Sequence, residues 1–214
     1  MHPRGKDMRR LPIIATLALI GGFASVAHAQ NVIPDHWTTI SRPFGEGVLR
    51  SGSGWDAGST PSNVLSLVDG ILYPEGQQWN YGSYWWDETQ TVSPFQTYLQ
   101  LDASYTFDRL VLQADDNDDY LIEFWNGSAW QTAFWAGATG GYGLTTRDSG
   151  MLSAFTTDRF RFTGLNGDQY YAMSEFQAFA AGVPEPASWA MLVVGFGLAG
   201  GAIRSRRKAT ITFA

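Results

Sequence analysis

The densest group of reactive side chains in the sequence is the acidic segment 115–119, Asp-Asp-Asn-Asp-Asp. Oxygen ligands at alternate positions are what a hard cation such as Ca²⁺ prefers. An EF-hand loop is excluded, because its sixth position would be Tyr120 and its twelfth would be Asn126. Short Asp and Asn side chains also bind their own backbone in turns. We favour this second interpretation, a solvated acidic turn, and leave cation binding by residues 115–119 open.

Aromatic residues crowd the segment 79–86, which has the irregular composition of a loop. Exposed rings can stack on sugar faces while nearby Asp, Glu or Asn side chains bind hydroxyl groups, so the segment is a candidate glycan site. Large rings also close the ends of β-sandwiches by burial, and for the cluster as a whole we prefer burial. The rings assigned to the candidate glycan site are Trp79, Tyr84, Trp85 and Trp86.

No residue pattern in the sequence predicts a catalytic centre. The chain has no cysteine, and its three histidines are His2, His28 and His36. It has no G-x-S-x-G, H-E-x-x-H or P-loop motif. A carboxylate pair for glycoside hydrolysis stays open, because acidic residues are numerous and nothing singles out two of them. We therefore predict a protein that is not an enzyme.

The charges are distributed unevenly along the 214 residues, which contain 14 Lys and Arg against 20 Asp and Glu. Eight of the positive charges lie in the first ten residues and in residues 204–208. Residues 30–183 therefore hold 6 positive and 18 negative charges, a net charge of −12, and no lysine. This balance argues against nucleic acid and anionic membranes as partners, and it favours neutral glycans and divalent cations.

The N-terminal residues 1–29 have the pattern of a secretory signal peptide. A basic stretch contains Arg4, Lys6, Arg9 and Arg10, and an apolar stretch follows at 11–26. Ala27-His28-Ala29 then supplies the small residues of a cleavage site. An uncleaved anchor is the alternative, and we consider it weaker because the apolar stretch is short for a membrane span. The pattern predicts export through the general secretion machinery.

The C-terminal residues 183–208 combine a proline motif, an apolar stretch and a basic cluster. Pro186 suits the first turn of a helix, and a helix over 186–203 would be about 27 Å long, close to the hydrocarbon thickness of a bilayer. The basic cluster would stay in the cytoplasm. We therefore predict a single transmembrane helix, weak because it is rich in glycine, followed by a short tail at 209–214. The cluster consists of Arg204, Arg206, Arg207 and Lys208.

The order of these features resembles the PEP-CTERM sorting signal of Gram-negative bacteria, in its Trp-Ala variant. The matching residues are Pro184, Glu185, Pro186 and Trp189, the segment 195–198, and the arginines Arg204, Arg206 and Arg207. The resemblance implies recognition by a membrane-embedded exosortase, a transient stay in the inner membrane, and delivery to the cell surface or extracellular matrix. It also implies an association with exopolysaccharide and biofilm.

The central region 30–182 shows the period-two hydrophobic alternation of β-strands. Asn126-Gly127 predicts a tight hairpin between two of the strands, since both positions tolerate positive φ. Short strands separated by Gly, Asn and Asp, without an amphipathic helix, predict an all-β sandwich. The predicted strands are 105–113, 120–125, 129–135, 159–163 and 174–179.

Residues 60–180 resemble the discoidin-like, galactose-binding-fold jelly roll of carbohydrate-binding modules. The resemblance lies in the segments 67–70, 98–102, 107–112, 126–130, 159–162 and 174–176, taken in this order, whereas 137–150 matches nothing. In many such modules, an early aspartate and a glutamate of the closing strand meet at a structural Ca²⁺. The resemblance assigns these two roles to Asp69 and Glu175.

Together, these patterns predict an exported, non-enzymatic surface or matrix protein that has a structural or adhesive role in exopolysaccharide or biofilm. A carbohydrate-binding module with a defined sugar site is the alternative, and a secreted glycan-acting hydrolase is a weaker one. The expected partners are exosortase, the secretion machinery and polysaccharide, with no nucleic acid. Structural Ca²⁺ is the one candidate cofactor.

Overall fold

The computed structural model describes residues 30–41, 46–47, 62–89, 94–181 and 186–206. The chain divides into two units, and the β-strands that the structure describes lie in the unit His28–Val183. The predicted signal peptide at 1–29 and the predicted tail at 209–214 lie outside the described residues.

Among its described residues, the β-domain has eight antiparallel strands, one short helix and one 3₁₀ helix. Helix α1 spans Ile33–His36, and the 3₁₀ helix spans Val64–Val68. The strands are β1 Trp37–Ser41, β2 Tyr84–Asp87, β3 Gln96–Asp115, β4 Asp119–Trp125, β5 Trp130–Ala136, β6 Leu144–Asp148, β7 Phe155–Leu165 and β8 Tyr170–Ala180. This architecture confirms the prediction of an all-β domain.

The long strand β3 joins the two halves of the sandwich. Its first residues pair with β1 and β7, and β7 continues to β4 and β5. Its last residues pair with β6 and β8, and β8 continues to β2. The pairing of β3 with β7 shifts register between Gln100 and Tyr105, and such a bulge bends a strand. One strand therefore contributes to both halves.

Aromatic side chains fill the core between the halves. Phe160 of β7 lies 5.0 Å from Phe176 of β8, and Phe162 lies 4.8 Å from the same ring. Arg159 and Arg161 alternate with these residues along β7 and are only partly buried. This alternation is the pattern from which the sequence predicted a strand, and here it separates the core from the outer face.

The predicted hairpin joins β4 and β5, but its loop has four residues rather than two. Trp125 pairs with Trp130 across the strands. Asn126 Oδ1 accepts hydrogen bonds from the backbone N–H groups of Ser128 and Ala129, both at 2.9 Å. Gly127 has a φ of 96°, which its missing side chain permits. The side chain of Asn126 thus closes a longer turn than the dipeptide predicted.

The C-terminal helix α2 spans Pro186–Arg206 and confirms the predicted helix. In the part of the chain that the structure describes, no helix has the length and apolar character that crossing a membrane requires. The four glycines Gly195, Gly197, Gly200 and Gly201 contribute little hydrophobicity to α2. The membrane crossing that the sequence led us to expect at 186–203 therefore stays a prediction.

Candidate functional site

Four loops at one end of the sandwich enclose a cleft of about 230 Å³. They are the segment before β2 and the connections β3–β4, β5–β6 and β7–β8. We call this cleft the acidic cleft, because aspartates form a third of its lining. Its lining residues are Gln78, Trp79, Asp115, Asp116, Asn117, Gly141, Tyr142, Gly143 and Asp168.

Backbone hydrogen bonds hold the segment before β2 against the start of β6. The N–H of Leu144 donates to the carbonyl of Gln77 at 2.8 Å, and the N–H of Gly76 donates to the carbonyl of Leu144 at 2.8 Å. Gly143 has a φ of 66°, and a Cβ there would lie 2.2 Å from the carbonyl oxygen of Gln77. Only glycine allows this approach of the two segments.

The carboxylates of the acidic cleft tie the other loops together. Asp116 Oδ2 accepts a hydrogen bond from the N–H of Gly141 at 2.7 Å. Asp168 Oδ2 accepts one from Asn117 Nδ2 at 3.0 Å, and its Oδ1 accepts one from the N–H of Tyr170 at 3.0 Å. The contacts from Gly141 and from Asn117 each join two different segments, so the polar wall of the cleft is preorganised by the fold.

Two aromatic rings complete the acidic cleft. Tyr142 is 63% exposed, and its hydroxyl donates to Gln78 Oε1 at 2.5 Å. Trp79 is only 7% exposed, because it packs against Trp85 and Tyr170 with ring centroids 5.7 and 6.0 Å apart. The cleft therefore offers one accessible ring, the edge of a second, and amide and carboxylate groups beside them. This combination is typical of sites for small polar ligands.

Carboxyl groups are concentrated at and behind the wall of the acidic cleft. Burial, followed by the charges of Asp116 and Asp168, raises the pKa of Asp115 to about 7. Behind it, burial and then the charges of Asp115 and Asp168 raise the pKa of Asp118 to about 9. Asp118 Oδ1 is buried and has no hydrogen-bond partner. These shifts reflect the cost of holding several negative charges together away from water.

The expectation of a solvated acidic turn at 115–119 is wrong. Asp115, Asp116 and Asp118 are all buried, at 2%, 8% and 0% exposure. The physical reason lies in their neighbours. The guanidinium of Arg147 donates to the backbone carbonyl of Asp115, and the N–H groups of the β5–β6 connection donate to Asp116. Residues distant in sequence thus cover a segment that looks fully exposed when read locally.

The fold also brings Asp69 and Glu175 together, as the discoidin-like resemblance implied. Glu175 Oε2 accepts a hydrogen bond from the N–H of Gly70 at 3.1 Å, while its Oε1 is buried without a partner. Burial, and then the charge of Asp69, raise the pKa of Glu175 to about 8. A cation beside the unpartnered Oε1 would bind this oxygen and would also offset the repulsion between the two carboxylates. These two residues therefore fit the implied Ca²⁺. Within the described ranges, however, no three His, Cys, Asp or Glu residues group as metal ligands. Carbonyl oxygens would have to complete the coordination.

The candidate glycan site at 79–86 needs correction, because its rings are not exposed. Tyr84, Trp85 and Trp86 belong to β2 and are 0%, 2% and 1% exposed. Tyr84 and Trp86 face the main core, and Trp85 packs with Trp79 in a second cluster. Their burial leaves no ring face for a sugar. Of the four assigned rings, only Trp79 reaches the acidic cleft.

The sequence did not single out Gln78, Tyr142 or Asp168, which complete the acidic cleft. Tyr142 lies in the glycine-rich segment 137–143, which matched no feature of the discoidin-like resemblance. An isolated tyrosine among glycines is a usable signal, since such a loop has few other side chains that could contact a ligand.

The sorting residues lie largely beyond what the structure describes. Pro184, Glu185 and Arg207 are outside the described residues, and of Pro186, Trp189 and Arg206 only the helical backbone is described. Arg204 is exposed on α2.

Residues 182–208 match the PEP-CTERM protein-sorting motif. The match confirms the resemblance inferred from the proline motif, the apolar stretch and the basic cluster. The motif is a sorting signal that exosortase recognises, so the chain is an exported protein. The comparison with curated proteins finds no match.

The fold of the β-domain is similar to that of the CBM32-1 and CBM32-2 domains of Clostridium perfringens ZmpB, solved in complex with GalNAc. The TM-score is 0.50 at 12% identity, over 71% of this chain and 36% of that chain. The crystal structure of SpGH29 also matches, and the aligned region covers only 28% of that chain. The similarity to the ZmpB domains confirms the discoidin-like, galactose-binding-fold sandwich.

Two further solved structures match the same region. One is the family 32 carbohydrate-binding module of Streptococcus pneumoniae EndoD, with TM-score 0.46, 10% identity and coverage of 71% of this chain and 100% of that chain. The other is chitosan-binding module 1 of a chitosanase/glucanase from Paenibacillus sp. IK-5, with TM-score 0.44, 22% identity and coverage of 71% and 99%.

Proposed function

We propose that the β-domain is a non-catalytic carbohydrate-binding module with a structural or adhesive role in exopolysaccharide or biofilm. The acidic cleft carries this proposal. An exposed tyrosine ring, amide groups of Gln78 and Asn117, and carboxylates lie around one concave surface. A sugar offers an apolar C–H face and a ring of hydroxyl groups, which such a surface can contact together.

The sorting motif supports the same role. Exosortase recognises the C-terminal segment while the chain is in the inner membrane. The β-domain is then released to the cell surface or the extracellular matrix. Polysaccharide is abundant at that location. A domain with a net charge of −12 and no lysine is poorly suited to nucleic acid or anionic lipid. A weak sugar site on such a protein would gain strength when many copies bind one polymer.

Binding to an array of defined oligosaccharides and bacterial exopolysaccharides tests the proposal. We expect the full-length protein to retain at least one glycan, and Tyr142→Ala to weaken that binding about tenfold through loss of ring stacking. Trp135→Ala is the matched control, because Trp135 is 49% exposed on β5 and does not line the cleft. Equal losses in both variants would contradict a site in the cleft. Hydrolysis of a bound polysaccharide would contradict the non-enzymatic role.

We also propose a structural Ca²⁺ at Asp69 and Glu175, where it would hold the loop after the 3₁₀ helix against β8. The protein is expected to unfold at a temperature several degrees higher in 1 mM Ca²⁺ than with chelator, about 1–2 kcal/mol of stabilisation. Glu175→Gln should abolish this difference, because it removes the buried carboxylate. Asp148→Asn, which removes an exposed carboxylate paired with Arg109, should retain it. An unfolding temperature unaffected by Ca²⁺ in the unsubstituted protein would refute the site.

A further inference from the structure

The acidic cleft carries negative charge that its own lining does not neutralise. Asp115, Asp116 and Asp168 line it, and no Lys, Arg or His is among its described lining residues. Arg147 lies behind the wall, but its hydrogen bonds go to the backbone carbonyls of Gly137, Thr145, Asp115 and Asp118 rather than to carboxylates. The cleft therefore presents a negative potential to any ligand that enters it.

Holding these groups together is unfavourable in the empty cleft. Burial and like charges raise the pKa of Asp115 to about 7, so ionising it beside Asp116 and Asp168 is costly. Behind the wall, Asp118 Oδ1 is fully buried and accepts no hydrogen bond. A positive charge in the cleft would stabilise the ionised carboxylates and offset part of this cost. Because three carboxyl groups line one concave surface that has no Lys, Arg or His among its described lining residues, the cleft favours a cationic ligand over a neutral one.

The arrangement suits an organic ammonium group better than a metal ion. Ca²⁺ takes six to eight oxygen ligands, and in the described part of the chain no three acidic or histidine side chains group to hold a metal. The oxygens of Asp168, one oxygen of Asp116 and one oxygen of Asp115 already accept hydrogen bonds from the protein. An ammonium group needs only one or two further acceptors, and an aromatic face such as that of Tyr142 also attracts it.

We propose that the acidic cleft selects sugars that carry a free, protonated amino group, such as the unacetylated hexosamine units of a polysaccharide. The ammonium group contacts the carboxylates of Asp115 and Asp116, Tyr142 stacks on the sugar ring, and the amides of Gln78 and Asn117 bind hydroxyl groups. This inference rests on the proposed carbohydrate-binding function, and it names the chemical class of the ligand.

Isothermal titration of the full-length protein with three oligosaccharides of equal length tests the inference at pH 6. The probes are oligomers of glucosamine, N-acetylglucosamine and glucose. We expect the glucosamine oligomer to bind at least about tenfold more tightly than the other two, and this preference to shrink as NaCl is raised from 50 to 500 mM.

Asp116→Asn removes a negative charge from the cleft and keeps the shape of the side chain. The amide oxygen can still accept the hydrogen bond from the N–H of Gly141. This variant should lose most of the preference for the glucosamine oligomer and keep any binding of the neutral oligomers. Retained binding of a neutral oligomer would also show that the variant is folded. Asp35→Asn removes an exposed carboxylate of α1 and should retain the preference. Equal or tighter binding of a neutral oligomer overturns the cationic selectivity and leaves the carbohydrate function standing. Absence of binding to any glycan, on the array and in titration, overturns both.

Discussion

Gly143→Ala is expected to destabilise the β-domain by about 2–4 kcal/mol and to abolish glycan binding in the acidic cleft. The new Cβ would lie 2.2 Å from the carbonyl oxygen of Gln77 and 2.9 Å from its carbonyl carbon. These are backbone atoms, so the strand β6 and the segment before β2 would have to separate. The φ of 66° adds strain for any residue with a side chain. Chemical denaturation and glycan titration measure the two effects.

Gly140→Ala is the matched control for this substitution. Gly140 lies in the same connection and has a φ of 65°, but a Cβ there would contact nothing within 4 Å. It should therefore cost only the strain of positive φ, about 1 kcal/mol, with binding retained. Similar losses of stability in the two variants would contradict the claim that the close approach of Gly143 to Gln77 keeps the segment before β2 against β6.

The stability of the protein in chelator is expected to fall as the pH rises from about 4 to about 9. Burial raises the pKa of Asp115 to about 7, of Glu175 to about 8 and of Asp118 to about 9. Between the ordinary pKa of a carboxyl group and these values, the folded state holds protons that the unfolded state has released. Each such group therefore lowers the free energy of unfolding as the pH rises through its own interval. Denaturant titrations at several pH values measure this slope.

Asp118→Asn should flatten the slope between pH 7 and 9, because the amide cannot ionise. Asp148→Asn should leave that part of the curve unchanged, since a hydrogen bond from Arg109 lowers the pKa of Asp148 and its effect falls on the acid side. A stability that is constant or rises from pH 5 to pH 9 in chelator would contradict the account of these buried carboxyl groups.

The alternation of residues predicted the strands that have one face in the core and the other near solvent. In β7, the alternation of Phe160 and Phe162 with Arg159 and Arg161 marks the strand in the sequence. Strand β2 was missed because both of its faces are covered. Trp86 faces the main core and Trp85 the second cluster, so its four residues are all buried and show no alternation. A strand of this kind resembles an aromatic loop when only its sequence is read.

The candidate site was less predictable than the fold, because its residues come from four separate loops. The pairing of Asp69 with Glu175 depended on a resemblance, and no local pattern connects two residues more than 100 positions apart. Tyr142 and Asp168 meet the acidic segment only through the order of the strands. The burial of Asp115 and Asp118 depends on Arg147 and on the β5–β6 connection, neither of which is close to them in sequence.

Hydrogen exchange of the full-length protein, with and without a saturating bound oligosaccharide, locates the surface that binds the glycan. We expect slower exchange in the four segments of the acidic cleft, at 75–83, 115–118, 137–143 and 166–169. The outer face offers a competing surface, where Trp125 and Trp130 lie 5.5 Å apart and Arg161 lies over Trp130. Protection confined to the strands of that face, with the four cleft segments unchanged, would contradict binding in the acidic cleft.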